Sequence, residues 1–289
     1  METNMMKNLA LFLLAALACF AEPAVELVNK GYHRSDKTYG KGIYYSIKND
    51  ITAYTVYLQW VKVTAKEAPK VLVGLPEPWF SSGFLRRGYS SLTVNGISSN
   101  VLEPKSVEPF KEDGKAGVEM LYNFNGCRLF QRIYMVDGKP LLYTQWRRDP
   151  TCTEPIEAAE LLVSAWPSMI IQKYDYKRAI QTQNRLIDTP QKGTKWADLK
   201  ATDKYWILYD QELEPSKKKG AEGPCYLTAD WSSIKAAKVW YGHVYSMQFR
   251  FTLDPAKDTW TFGTVEFHKS SDNAPFIEKV KNEEDKFSL

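Results

Sequence analysis

The sequence predicts an all-β fold, a large antiparallel two-sheet sandwich with minor helical segments. Three observations predict it. Asn-Gly and Asp-Gly pairs separate runs rich in β-branched and aromatic residues. Long runs alternate apolar and polar side chains with the two-residue period of a half-buried strand. Stretches that favour helix are few and short.

The turns come first, because Asn-Gly and Asp-Gly accept the positive φ angles that tight hairpin turns demand. Asn95-Gly96 separates residues 91–94 from 97–102, and Asn125-Gly126 separates 118–124 from 127–136. Asp137-Gly138 then separates that second strand from 139–147, which makes a three-stranded meander. Further strand candidates are Tyr54-Thr55-Val56-Tyr57, Val71-Leu72-Val73 and Tyr205-Trp206-Ile207-Leu208-Tyr209. The longest candidate runs from Trp240 to Leu253, with Tyr241, His243, Tyr245, Met247, Phe249, Phe251 and Leu253 on one face. A strand from Thr259 to His268 follows after the turn-rich link 254–258.

Helix is expected only in 154–165, 232–238 and a tail helix over 275–285 with Phe276, Ile277 and Val280 docked; 215–223 reads as an exposed loop. No repeat and no strong linker interrupts the chain, so residues 22–289 are expected to form a single β-sandwich domain. The alternative is two smaller sandwiches meeting near Asp149-Pro150.

Residues 1–21 have the layout of a secretory signal: Lys7, then an apolar run from Leu9 to Phe20, then small residues. The run is shorter than the ~20 residues a transmembrane helix needs. Cleavage after Ala21 would give a soluble exported protein. Cleavage before Cys19, at the Ala16-Leu17-Ala18-Cys19 sequence, would leave a lipid anchor and tie the chain to a membrane surface. The expected location is periplasmic or extracellular in both cases. Cys127, Cys152 and Cys225 would remain, either as one disulfide and one thiol or as three buried thiols. A net charge of +4 over 289 residues argues against a nucleic-acid surface.

The C-terminal half resembles the galactose-mutarotase-like β-supersandwich. The resembling pieces are 206–210, 223–230 and the strand ending Phe249-Arg250-Phe251-Thr252-Leu253, within residues 160–268. Such sandwiches occur in sugar epimerases and as accessory domains of polysaccharide lyases and glycoside hydrolases. The resemblance implies a carbohydrate-associated protein. Mutarotases use a His and a Glu, but no motif carries either onto a position here.

No dinucleotide, P-loop, serine-hydrolase or zincin motif is present, and no cofactor is implied. Three histidines in the chain leave little for a metal centre. If 240–253 and 259–268 pair as a hairpin, Phe251 faces Trp260 and His243 faces His268, which gathers His243, Tyr245, Glu266 and His268 as candidate acid–base residues. Aromatics make up 13% of the chain. Trp79, Trp196 and Trp231 are candidates to stack on a sugar ring. Arg147 is a candidate to bind an acidic polysaccharide or oligosaccharide through its guanidinium fork. Three roles fit these features: carbohydrate binding or an accessory role, a mutarotase- or lyase-type enzyme, and a structural envelope protein.

Overall fold

The computed structural model describes residues 22–30, 39–62, 70–74, 90–165, 178–188, 194–211, 224–242, 247–265 and 273–289. The strands are β1 (Ala24–Lys30), β2 (Tyr39–Lys48), β3 (Ala53–Lys62), β4 (Lys70–Gly74), β5 (Ser90–Val94), β6 (Ile97–Ser98) and β7 (Ser106–Glu112). Next come β8 (Lys115–Phe124), β9 (Cys127–Val136), β10 (Leu142–Arg148), β11 (Ala159–Ala165), β12 (Arg178–Thr182) and β13 (Leu186–Asp188). The chain continues through β14 (Thr194–Leu199), β15 (Tyr205–Asp210), β16 (Cys225–Ala229), β17 (Ile234–Gly242), β18 (Met247–Leu253) and β19 (Thr259–Val265). Two helices close it, α1 (Asn273–Asn282) and α2 (Glu284–Phe287).

Among the described residues three sheets form, and every strand pair in them is antiparallel. The largest has the order β13-β12-β15-β16-β19-β10-β9-β8-β7, and the second β14-β17-β18-β11-β5-β6. These two are the layers of the sandwich. Trp206 of the nine-stranded sheet packs its ring 5.6 Å from Phe249 and 5.8 Å from Phe251 of the six-stranded sheet. Trp146, Trp206 and Trp260 are fully buried there. Both sheets draw strands from either side of Asp149-Pro150. A third sheet, β1-β2-β3-β4, lies against β7–β9. Asn49, in the turn between β2 and β3, ties it down by donating to the carbonyls of Val136 (2.7 Å) and Lys139 (2.8 Å).

The turn chemistry works as the residues require. Asn95-Gly96 and Asn125-Gly126 take positive φ and join β5 to β6 and β8 to β9. Asp113-Gly114 does the same between β7 and β8, a hairpin the sequence reading passed over. At Asp137-Gly138 only the glycine has positive φ, and β10 begins later, at Leu142. The tail helix forms as expected, with Phe276 and Val280 buried.

Four expectations are overturned. Residues 154–165 are not helical: a loop precedes β11, which lies between β18 and β5. Pairing on both edges outweighs the intrinsic helix preference of Glu and Ala there. Residues 232–238 form the end of a 3₁₀ turn, capped by Asp230, and the start of β17. The stretch from Trp240 to Leu253 is not one strand: β17 and β18 pair with each other, Trp240 opposite Gln248 and Val239 opposite Phe249. Lastly, β18 and β19 do not pair. Both edges of β18 are occupied by β11 and β17, so the link 254–258 carries the chain across to the other sheet, where β19 lies between β10 and β16.

Candidate functional site

The sandwich leaves one face of the nine-stranded sheet outside the main core, and the period-two alternation decides what stands on it. Across that face the register sets Glu119, Arg132, Gln145 and Thr261 in one row. The next row is Gly117, Tyr134, Tyr143, Gly263, Thr228 and Tyr205. The first row is polar and held by charge. Arg132 donates to Glu119 and to Glu112, and its guanidinium lies 4.6 Å from the Phe110 ring centroid. Burial works against the Arg132 charge, but the two carboxylates more than offset it and its affinity for the proton rises. Gln145 donates to Thr261 at 3.4 Å.

The second row is aromatic. Tyr134 and Tyr143 stack with centroids 5.2 Å apart and planes 10° from parallel. The glycines on either side explain how. A Cβ on Gly117 would lie 2.1 Å from the Ile133 carbonyl oxygen and 2.5 Å from Tyr134 Cβ. α1 and α2 cover one end of this face, with Phe276, Val280 and Phe287 packed against the tyrosine layer. Tyr226 donates to the Phe287 carbonyl at 2.6 Å, which fixes the tail.

Between the tail and the sheet lies a cavity of about 530 Å³. Tyr134, Tyr143, Tyr205 and Tyr226 supply its aromatic surface, Gln145, Thr261 and Asp230 its polar groups, and Trp231, Ser288 and Leu289 border it. Lys204 and Glu284, paired at 2.7 Å, close one side. The Tyr205 hydroxyl and the Trp231 indole N–H are fully buried without a hydrogen-bond partner among the described residues, and the Trp231 ring packs inward, 5.9 Å from Trp206 of the sandwich core. Burial raises the hydroxyl pKa of Tyr134, Tyr143, Tyr205 and Tyr226. They therefore offer protons for hydrogen bonds and do not ionise near neutrality. Asp230 already accepts from Ser232 N at 2.9 Å. Aromatic faces beside polar side chains such as Gln145 and Thr261 suit a ligand with flat apolar patches ringed by hydroxyls.

A second cleft, of about 480 Å³, opens where β10 leaves the sheet and is lined by Arg147, Arg148, Asp149, Cys152 and Asp258 among others. Arg147 lies over Phe130, 5.2 Å from its centroid and 3.8 Å from Glu119. Arg148 points elsewhere, to the Glu154 carbonyl at 3.1 Å and Asp258 at 3.8 Å.

The sequence candidates separate accordingly. Trp231 borders the cavity, and Arg147 lies at the second cleft. Trp196 is on β14, at the edge of the other sheet, 43% exposed, with Lys238 and Arg250 over its ring at 4.7 and 5.2 Å. These three form no common site. His243, Tyr245, Glu266, His268 and Trp79 lie outside the described residues. The β18–β19 hairpin invoked to bring the first four together does not form. The four tyrosines of the cavity were not singled out from the sequence. Their signal was the phase of the alternation: Tyr134, Tyr143, Tyr205 and Tyr226 occupy strand positions opposite in phase to the core residues Ile133, Leu142, Trp206 and Leu227.

Among solved structures, the chain is similar to an α-N-acetylgalactosaminidase from Bifidobacterium bifidum, with a TM-score of 0.50 and 8% identity over 89% of this chain. It is also similar to a candidate aldose 1-epimerase from Klebsiella pneumoniae, with a TM-score of 0.50 and 8% identity over 90% of this chain and 91% of that one. The fold resembles the galactose-mutarotase-like β-supersandwich. The likeness is one of architecture, since fold alone does not fix activity. The chain spans 39% of the α-N-acetylgalactosaminidase. No model of a known protein family matches the chain. No curated protein matches it either.

Proposed function

We propose that this chain is an exported, single-domain carbohydrate-binding sandwich that seats a saccharide in the cavity between the tyrosine row and the C-terminal tail. The observation that carries this reading is the pairing of an aromatic surface, from Tyr134, Tyr143, Tyr205 and Tyr226, with the polar side chains of Gln145, Asp230 and Thr261. A volume of about 530 Å³ falls in the range that holds a small ligand. Two solved structures of similar fold are, by description, an α-N-acetylgalactosaminidase and a candidate aldose 1-epimerase, which favours a sugar over other polyols. Binding is favoured over catalysis because the cavity's tyrosines hold their protons and both carboxylates at its wall are engaged, Asp230 by Ser232 and Glu284 by Lys204.

Screening the full chain on a glycan array, followed by calorimetry on the best binder, tests the reading. Gln145→Ala is expected to weaken binding about 2- to 10-fold from a lost polar contact. Trp196→Ala, on the other sheet, should leave it unchanged. A chain that binds no glycan, or a Q145A variant that binds as well as the wild type, removes the proposal. Rapid anomer interconversion by the wild type, abolished by His243→Ala, would replace binding by catalysis. For export, mass spectrometry of the mature N-terminus distinguishes a free Glu22 from an acylated Cys19.

A further inference from the structure

The link from β10 to β11, residues 149–158, rests on the tight turn that opens β9. Asp149 N donates to the Arg128 carbonyl at 3.0 Å, and the Asp149 carboxylate meets Arg128 Nε at 3.1 Å. The Arg128 guanidinium also donates to the Thr151 hydroxyl. The link is folded on itself: Asp149 Oδ1 accepts from the Thr151 N–H (2.9 Å) and hydroxyl (2.7 Å), and its carbonyl accepts from Cys152 N (2.8 Å). It lies so close to the turn that a Cβ on Gly126 would come within 3.1 Å of Glu154 Cγ.

These contacts deliver the Cys152 thiol to one place. Its sulfur accepts from Arg128 N at 3.2 Å and donates to the Gly126 carbonyl at 3.6 Å. Those two backbone groups flank Cys127, so the Cys152 sulfur is held beside that residue. Cys127 is buried and Cys152 half-buried. Cys225 is on β16, three strands from β9 in the same sheet. At about 4.8 Å per strand the sideways separation alone is roughly 14 Å, beyond the reach of a disulfide.

We propose that Cys127 and Cys152 are a redox pair that closes to a disulfide and fastens the crossover between the two sheets to the β8–β9 turn. The electron acceptor is a small-molecule disulfide of the oxidised-glutathione class. The accessible Cys152, as thiolate, attacks one glutathione sulfur, forms a mixed disulfide and releases the first glutathione thiolate. Cys127 then loses its proton and attacks the Cys152 sulfur, which expels the second. Two protein thiols give up two electrons and two protons, and one glutathione disulfide becomes two glutathione thiols. Burial pushes the Cys127 thiol up to about 11, so the second displacement is the slow step and quickens with rising pH.

The test uses the full chain, incubated with oxidised glutathione, alkylated and digested without reduction. Mass spectrometry is expected to find one peptide pair joined through Cys127 and Cys152, released by reductant. The oxidised chain should unfold about 5–10 °C above the reduced chain, and Cys152→Ala should abolish the difference while matching the reduced wild type. A cross-link through Cys225, or a glutathione adduct on Cys152 that never resolves, overturns the pairing. A formed bond that leaves the unfolding midpoint unchanged overturns the fastening.

Discussion

Replacing Gly117 by alanine should damage both stability and the cavity, and the size of the effect follows from its neighbours. Gly117 faces Tyr134 across β8 and β9. An added Cβ would meet the Ile133 carbonyl oxygen at 2.1 Å and the Tyr134 Cβ and Cα at 2.5 and 2.6 Å. Ordinary contacts of these kinds begin near 3.4 Å, so the backbones of two paired strands must part by about an ångström. Overpacking of this kind costs about 1–3 kcal/mol, and G117A belongs at the upper end because backbone must move. Gly263→Ala is the matched control on the same row. Its nearest atoms are the side-chain ends of Leu141 and Leu289, both at 3.1 Å, which give by rotation. A loss below about 1 kcal/mol is expected there. Urea unfolding followed by tryptophan fluorescence measures both, and near-UV circular dichroism should show a changed tyrosine signal only in G117A as the Tyr134–Tyr143 stack is displaced. Equal midpoints for the two variants, or G117A within about 0.5 kcal/mol of wild type, would refute the steric argument.

Asp203, 1% exposed, holds Arg185 through two bonds (3.0 and 2.8 Å) and accepts from Lys200 N at 2.8 Å. Removing it as Asp203→Ala should cost about 2–4 kcal/mol, discounted from a fully buried pair because Arg185 stays partly hydrated. Burial alone would raise the Asp203 pKa, but the Arg185 and Lys200 bonds hold it below the ordinary carboxylate value. Its contribution is therefore present above the unfolded value near 4 and is lost as pH falls through the lower folded value. Acid titration of the unfolding midpoint should be shallower in D203A than in wild type below about pH 4; parallel curves would contradict the assignment. Phe287, 1% exposed and packed on Tyr226 and Phe276, should cost about 3 kcal/mol as Phe287→Ala and release the tail from the cavity rim, read as faster amide exchange in α1. A loss under about 1 kcal/mol would mean that the tail does not cover the tyrosine row.

The tight turns were legible because their chemistry is local. Asn95-Gly96 and Asn125-Gly126 take positive φ whatever lies across the molecule. Asp113-Gly114 carried the same signal and could have been found with it. The tail helix was legible for the same reason, since Phe276 and Val280 sit at helical spacing on one short segment. The candidate site was legible only in fragments. Trp231 was identified by its aromatic ring, but its neighbours at the cavity come from β10, β15, β16 and the tail.

By itself the sequence determined that this is an antiparallel β protein, where its tightest turns fall, and which side chains alternate along each strand. Only the tertiary structure decided which sheet a strand enters. Residues 240–253 illustrate the difference. Their alternation held on both arms, with Tyr241, Met247, Phe249, Phe251 and Leu253 all buried, yet the chain doubles back within them and then crosses to the other layer. A strand has two edges, and who fills them depends on segments far away in sequence: β11 and β17 took both edges of β18, so β19 found its partners in β10 and β16. That competition for edges is non-local. It placed Thr261 beside Gln145 instead of opposite β18, and with it the row of polar and aromatic groups that faces the cavity.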